Sequence, residues 1–300
     1  MLTLLAITAL SQTPTKPITL RAVGDVMLGR EVEKVGLSPF REISPALKDA
    51  SLTFANLECA LSWKKGEGEK LYRLRASPRR SEWIKDAGID IVSLANNHAA
   101  DAGTAGFFET VFALGKSGVV SLYEDPVQLE VNGTKIAFVA YTDFRRDACP
   151  GMSVFSIAKL KADITKMTAP VRIVSIHWGE EGQNIPTARQ REFAKIMSGL
   201  GVDLILGHGP HLLQPVERLG NCLVAYSLGD FVFDIRRGER TQSAILEATI
   251  QGPDVTKFRL IPVKAGFKPK LDLGRKVLHG NSSGSSSRAP VPSSQAHHGR

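Results

Sequence analysis

Seven short runs of the chain are almost unbroken in apolar residues: ITLRAV, LTFAN, IDIVSLA, KIAFVAY, VRIVSIH, VDLILG and CLVAYSL. A strand with one wet face alternates apolar with polar residues. Runs this continuous are those of strands covered on both faces. Helical patterns lie between them. From Ala105 to Lys116, Phe107, Val111 and Leu114 recur at helical spacing, and Gly118 follows as a stop signal. In TARQREFAKIMSGLG, Phe193, Ile196, Met197 and Leu200 share one face, and Gly201 lies past the end. Further on, SAILEATI and VTKFRLIPV alternate like antiparallel strands. The expectation is an α/β fold with a second, more antiparallel sheet.

The two ends read differently. Leu2 to Leu10 form a short apolar run followed by small and polar residues, similar to a secretory leader without its basic start. The run is far below the ~18 residues of a membrane span, so no transmembrane span is expected. Residues 1–17 are read as a signal peptide or a disordered N-terminus, with an exported protein as the expectation and a cytoplasmic one as the alternative. Residues 279–300, rich in Ser, Gly and Pro, are read as a disordered tail. Residues 18–278 remain as one domain.

A net charge of +8 points to polyanionic partners without naming one. No nucleic-acid recognition motif is present, and 7% aromatic residues are few for base stacking, so nucleic acid is not expected. Cys59, Cys149 and Cys222 include no C-x-x-C pair and mark neither a zinc knuckle nor a dithiol site.

The polar residues at the ends of the apolar runs carry the chemistry. Asp25 follows ITLRAVG; Asn56 and Glu58 follow LTFA; Asn96, Asn97 and His98 follow IDIVSLA. His177 ends VRIVSIH, His208 and His211 follow VDLILG, and Asp230 follows LVAYSLG. In α/β sheets the carboxyl ends of strands converge on one crevice. Of the seven histidines, three (His279, His297, His298) lie at or in the tail, and all four in the body occur at these ends. With Asp25, Glu58 and Asn97 they supply a mixed nitrogen and oxygen donor set, suited to manganese, iron or zinc, in one or two ions. No G-x-S-x-G elbow or P-loop competes with this reading.

Six motifs in order, GDVMLGR, ANLECALS, SLANNHAADAG, SIHWGEE, LGHGPHLLQPVE and AYSLGDFVFD, resemble the CapA family of capsule, or poly-γ-glutamate, biosynthesis proteins, from about Ile18 to Val263. That family is related to calcineurin-like metallophosphatases. The resemblance therefore implies a metallophosphatase-like two-sheet sandwich flanked by helices. It also implies Asp25, Glu58, Asn97, His177, His208 and His211 as metal ligands, with His98 and Asp25 as the catalytic residues. On this reading Asn97 offers its carbonyl oxygen to a metal, His98 faces the substrate, and Asn96 is structural. Three features depart from the phosphatase pattern: Met27 stands where a ligand histidine is usual, Glu58 has altered spacing, and GHGPH is one residue longer than G-H-x-H. Asp230 stands where the family most often has Asn.

Two functions follow as expectations. One is a metal-dependent hydrolase acting on a phosphoester or a γ-glutamyl amide bond. The other is a non-catalytic protein that handles an anionic polymer in capsule assembly or export. Lys64 to Arg80 serves either, with seven Lys or Arg against two Glu, hence 7 − 2 = +5. Arg73 and Arg75, spaced as on a strand with one basic face, are its candidate polyanion-binding residues.

Overall fold

The computed structural model describes residues 16–66, 70, 72–235 and 237–281. Most of the candidate leader and of the tail lies outside these residues.

Two sheets form the framework. The first has nine strands, with Asp254–Lys264, Gln242–Gln251, Ile18–Val26, Leu52–Leu57, Ile91–Ser93 and Val120–Leu122 side by side in that order. Its half built on Ile18–Val26 and the strands after it is parallel, whereas Gln242–Gln251 and Asp254–Lys264 form an antiparallel pair, as their alternation predicts. That pair extends this same sheet beside Ile18–Val26 and does not form the second, more antiparallel sheet expected from the sequence, since the other sheet is parallel at its centre. The described chain continues to Asn281, where Leu278–Asn281 pairs with Asp254–Lys264, three residues past the boundary read at Leu278. The second sheet has six strands, in the order Val216–Leu219, Cys222–Ala225, Leu204–His208, Val171–His177, Thr134–Thr142 and Val127–Val131.

The unbroken apolar runs now have their reason. In Thr134–Thr142, Ile136, Phe138 and Ala140 face the first sheet and join one core with Ala22, Phe54 and Ile91. Their alternates Ala137, Val139 and Tyr141 enter a second core with Leu160 and Ile164 of helix Ile157–Lys166 and Phe193, Ala194 and Met197 of helix Ala188–Gly199. On the far side of the first sheet, Ile84 of helix Ser81–Asp86 and Phe107 and Leu114 of helix Gly103–Lys116 complete the main core. Two stacked sheets between helices are the expected sandwich.

Helix Ala188–Gly199 owes its start to a capping box. Thr187 Oγ1 accepts the Gln190 N–H at 3.2 Å, and Gln190 Oε1 accepts the Thr187 N–H at 2.9 Å. Thr187→Ala leaves orphan donors at this end and is expected to lower unfolding free energy by about 0.5–2 kcal/mol in a urea titration. An unchanged midpoint and slope would show that the cap is dispensable.

Candidate metal centre

Both sheets present their carboxyl ends to the same edge, in two facing rows. In the first sheet Asp25 is in register with Asn56 on one side and Asp230 on the other. In the second, His177 is in register with His208. The short strand Asp230–Val232 reaches its place because Gly24 has no side chain: a Cβ there would stand 1.8 Å from the Gly229 carbonyl oxygen. His211 bends back over the rows with φ 59, a left-handed conformation uncommon outside glycine.

Asp25 lies at the centre and is fully buried. Its Oδ1 accepts a hydrogen bond from Asn56 Nδ2 at 2.8 Å and lies 3.4 Å from His208 Nδ1. Its Oδ2 is 3.3 Å from His211 Nδ1. His211 Nδ1 is 2.8 Å from Asp230 Oδ1, and its Nε2 is 3.6 Å from Glu58 Oε1. His177 Nε2 is 3.9 Å from the same Glu58 oxygen. Two groups of donors close enough to hold an ion result, Asp25–His211–Asp230 and Asp25–Glu58–His177, and Asp25 belongs to both. The residue shared between the groups is thus Asp25, with Glu58 in only one of them.

The donor chemistry fits a divalent cation. Buried polar atoms without a hydrogen-bond partner are rare in proteins and call for an explanation such as an ion. Here Asp25 Oδ2, both Glu58 carboxylate oxygens, Asn97 Oδ1, His177 Nε2 and both His208 nitrogens are such atoms. Four carboxylates (Asp25, Glu58, Asp230 and Glu181) act on His211, and the Arg240 guanidinium binds the far side of Asp230. Burial pushes Glu58 well above the usual carboxylate range, opposed by His211 and reinforced by the negative Asp25 and Asp230. Burial also works on Asp25, but the imidazoles of His208 and His211 beside it overcome burial and hold that carboxyl low. Burial disfavours the charged form of His211, yet Glu58, Asp230 and Asp25 raise it well above an ordinary histidine.

His177 gives a pH dependence that a chelated sample reveals. Burial drives its pKa down to about 3, against the opposing pull of Asp25. Below 6.5 the unfolded chain takes up a proton that the folded chain refuses until about 3, so stability falls as pH drops through that window. Glu58 works the other way: its raised pKa makes the folded chain bind the extra proton above 4.5. Below 4.5 this offset is spent, and the depressed Asp25 adds a further loss as pH falls from 3.8 through its lower folded value. Metal-free protein is expected to unfold steeply between about pH 4.5 and 3 by circular dichroism, and His177→Gln to flatten the transition. Equal acid sensitivity in the variant would remove His177 as the cause.

The NNH turn divides its labour. Asn96 is structural: its Nδ2 donates to Asn56 Oδ1 and the Leu57 carbonyl, and its Oδ1 accepts the N–H groups of His98 and Ala99. Asn97 contributes a buried, partnerless side-chain oxygen. His98 Nδ1 is 2.7 Å from Asp101 Oδ2, which orients the ring. Lys70 Nζ binds both Asp101 Oδ1 and the Asn97 carbonyl. Asp101, Glu181 and Arg240 escaped the sequence reading. The H-x-x-D spacing was the signal for Asp101 and the acidic pair after HWG for Glu181; Arg240 lies in the single 3-10 turn Glu239–Thr241, too short to give a pattern.

Met27 is fully buried, and its sulfur accepts the Gly29 N–H at 3.1 Å. The strand with one basic face is not formed by Arg73 and Arg75, since pairing covers only Arg75–Ala76. Instead Arg73 donates to the carbonyls of Lys65 and Asp101, and Arg75 to that of Lys64. The cysteines are poor nucleophiles, with burial lifting Cys59 to about 12 and Cys149 to about 11.

Stacked sheets with buried acids and histidines at their shared carboxyl edge define a metallophosphatase-like sandwich. Two solved structures share this fold, at identities that speak to the fold alone. A novel phosphatase from Mycoplasma pneumoniae superposes with a TM-score of 0.54 at 16% identity, over 89% of this chain and 94% of that one. A hypothetical protein from Thermus thermophilus gives 0.52 at 19% identity, over 88% and 98%. Residues 19–235 match the family model described as bacterial capsule synthesis protein PGA_cap. The PGA biosynthesis protein CapA of Bacillus subtilis is 30% identical over 80% of this chain and 70% of its own length. The capsule biosynthesis protein CapA of Bacillus anthracis is 31% identical over 86% and 70%. The chain belongs to this bacterial capsule synthesis family.

Proposed function

We propose that the chain is an exported, metal-dependent hydrolase of capsule assembly that cleaves a γ-glutamyl amide or phosphoester bond. The observation that carries this reading is the pair of donor groups sharing Asp25, with partnerless buried donors around them. The ligands are Asp25, Glu58, Asn97, His177, His208 and His211, joined by Asp230. Their mixed nitrogen and oxygen character suits manganese, iron or zinc. A divalent ion there supplies Lewis acidity toward a carbonyl or phosphoryl oxygen. The protein's own part is to hold the substrate beside His98, whose imidazole, tied to Asp101 by Nδ1, donates a proton to the leaving group. Export rests on the apolar run Leu2–Leu10. Among the described residues no helix is long and apolar enough to cross a membrane.

A specific observation favours the second reading, a polymer-binding protein without turnover. Met27 is turned to the backbone at a position where the related phosphatases carry a ligand histidine, which weakens the hold on one ion. Simple phosphoesters, which need two ions clamping the attacking and leaving oxygens, should then be poor substrates. The deciding experiment measures metal content and assays p-nitrophenyl phosphate beside a γ-glutamyl polymer, with excess manganese, zinc or iron. Polymer cleavage with slow ester turnover is expected. Polymer binding without cleavage would replace the hydrolase by the binding protein, and ester turnover near ~10 per second would show that Met27 leaves the site unimpaired.

A further inference from the structure

The segment 230–234, Asp-Phe-Val-Phe-Asp, has an aspartate at each end, and each aspartate holds an arginine. Arg240 Nε donates to Asp230 Oδ2 at 2.8 Å, and Arg30 Nε lies 2.9 Å from Asp234 Oδ2. The aspartate side chains are 0% and 6% exposed, whereas those of Arg240 and Arg30 are 38% and 44% exposed. The carboxylates are therefore anchored in the protein and the guanidiniums reach toward solvent. Each guanidinium also lies over an aromatic ring, Arg240 over Phe233 at 5.2 Å and Arg30 over Tyr72 at 6.0 Å. In both, Nε is the nitrogen nearest the aspartate. Among the described residues the terminal nitrogens have no other acceptor, so the forked edge that matches a carboxylate or phosphate is free to take one.

Their placement relates them to the metal centre. The other Asp230 oxygen is 2.8 Å from His211, so one carboxylate separates Arg240 from the cluster. Four residues of chain carry the second anchor at most ~13 Å further along. Arg30 is held at φ 53, a backbone conformation that arginine rarely adopts and that tends to persist where function requires it.

We propose that Arg240 and Arg30 form a two-point subsite for an extended polyanion carrying repeated carboxylates, Arg240 gripping the group beside the scissile bond and Arg30 a later one. The proposal rests on the reading that the cluster acts on an anionic chain. Its test uses the full-length, metal-loaded protein, with γ-linked glutamate dimer, γ-linked glutamate decamer and phenyl phosphate as probes in titration calorimetry. Arg240→Gln is expected to weaken all three probes ten- to hundredfold, the range of one charge-assisted hydrogen bond. Arg30→Gln should weaken the decamer by about tenfold and leave the dimer and phenyl phosphate unchanged. Arg240→Lys, which keeps the charge without the fork, should restore binding only in part, and metal content should stay constant throughout. Decamer binding unchanged in both glutamine variants overturns the subsite, and so does a loss of binding that follows a loss of metal. Weakening of phenyl phosphate alone overturns the carboxylate polymer as its ligand. No binding of any probe by the unmodified protein overturns the underlying functional reading instead.

Discussion

Asp25→Asn is expected to abolish metal binding altogether, whereas His177→Ala and Asp230→Ala each remove only part of it. Asparagine keeps the shape of the side chain and its hydrogen-bonding capacity, but withdraws the negative charge from the one residue that both donor groups share. Hard divalent ions depend on that charge. His177 belongs to one group and Asp230 to the other, so each alanine leaves a complete triplet minus one donor beside an intact one. Elemental analysis of protein purified with excess manganese or zinc, paired with circular dichroism, distinguishes the cases. Equal and complete loss in all three variants would reduce the two groups to a single site. Undiminished metal in Asp25→Asn would place the ion elsewhere.

His98→Ala carries the second large effect. Metal content should remain that of the unmodified protein, because His98 is in neither donor group. On the proposed hydrolase reading, the rate of cleavage should fall about 10²- to 10⁴-fold, the usual contribution of a positioned acid or base. Asp101→Asn is expected to lower kcat less and to leave KM nearly unchanged, since Asp101 acts by orienting the His98 ring. It will also loosen the neighbouring loop, because Asp101 accepts the Leu74 N–H and pairs with Lys70. Full activity in His98→Ala would remove the imidazole from the reaction.

Much of this arrangement was legible before any coordinates. Runs such as KIAFVAY are apolar at every position because one set of residues faces a sheet and the other faces helices. The four body histidines flag the carboxyl edge: His177, His208 and His211 are buried there and His98 is half-buried beside them. What stayed hidden depends on contacts across long stretches of chain. Asp230 was legible as a strand-end residue, but its place in a donor group comes from its short strand pairing beside Asp25, an adjacency that Gly24 permits and local pattern does not show. Arg240 has no periodicity around it, and its meaning comes wholly from the Asp230 carboxylate. In the basic run from Lys64 to Arg80, charge alone did not show that Arg73 and Arg75 also donate to backbone carbonyls of their own neighbourhood.

The two facing rows of donors have a mechanical consequence. Asp25 and Asp230 stand 205 positions apart in the chain, on one sheet, while His177 and His208 stand on the other. An ion joining them is a rivet through the open edge of the sandwich, closing loops that span most of the domain. Unlike a covalent cross-link, such a fastening would not restrain the unfolded chain, which lacks the site; it would stabilise the fold by its own binding free energy. It can be set only after the last of these strands is in place. Metal uptake at this centre would therefore mark the completion of folding, and a chain stopped short of Asp230 can build the first row of donors without its final member.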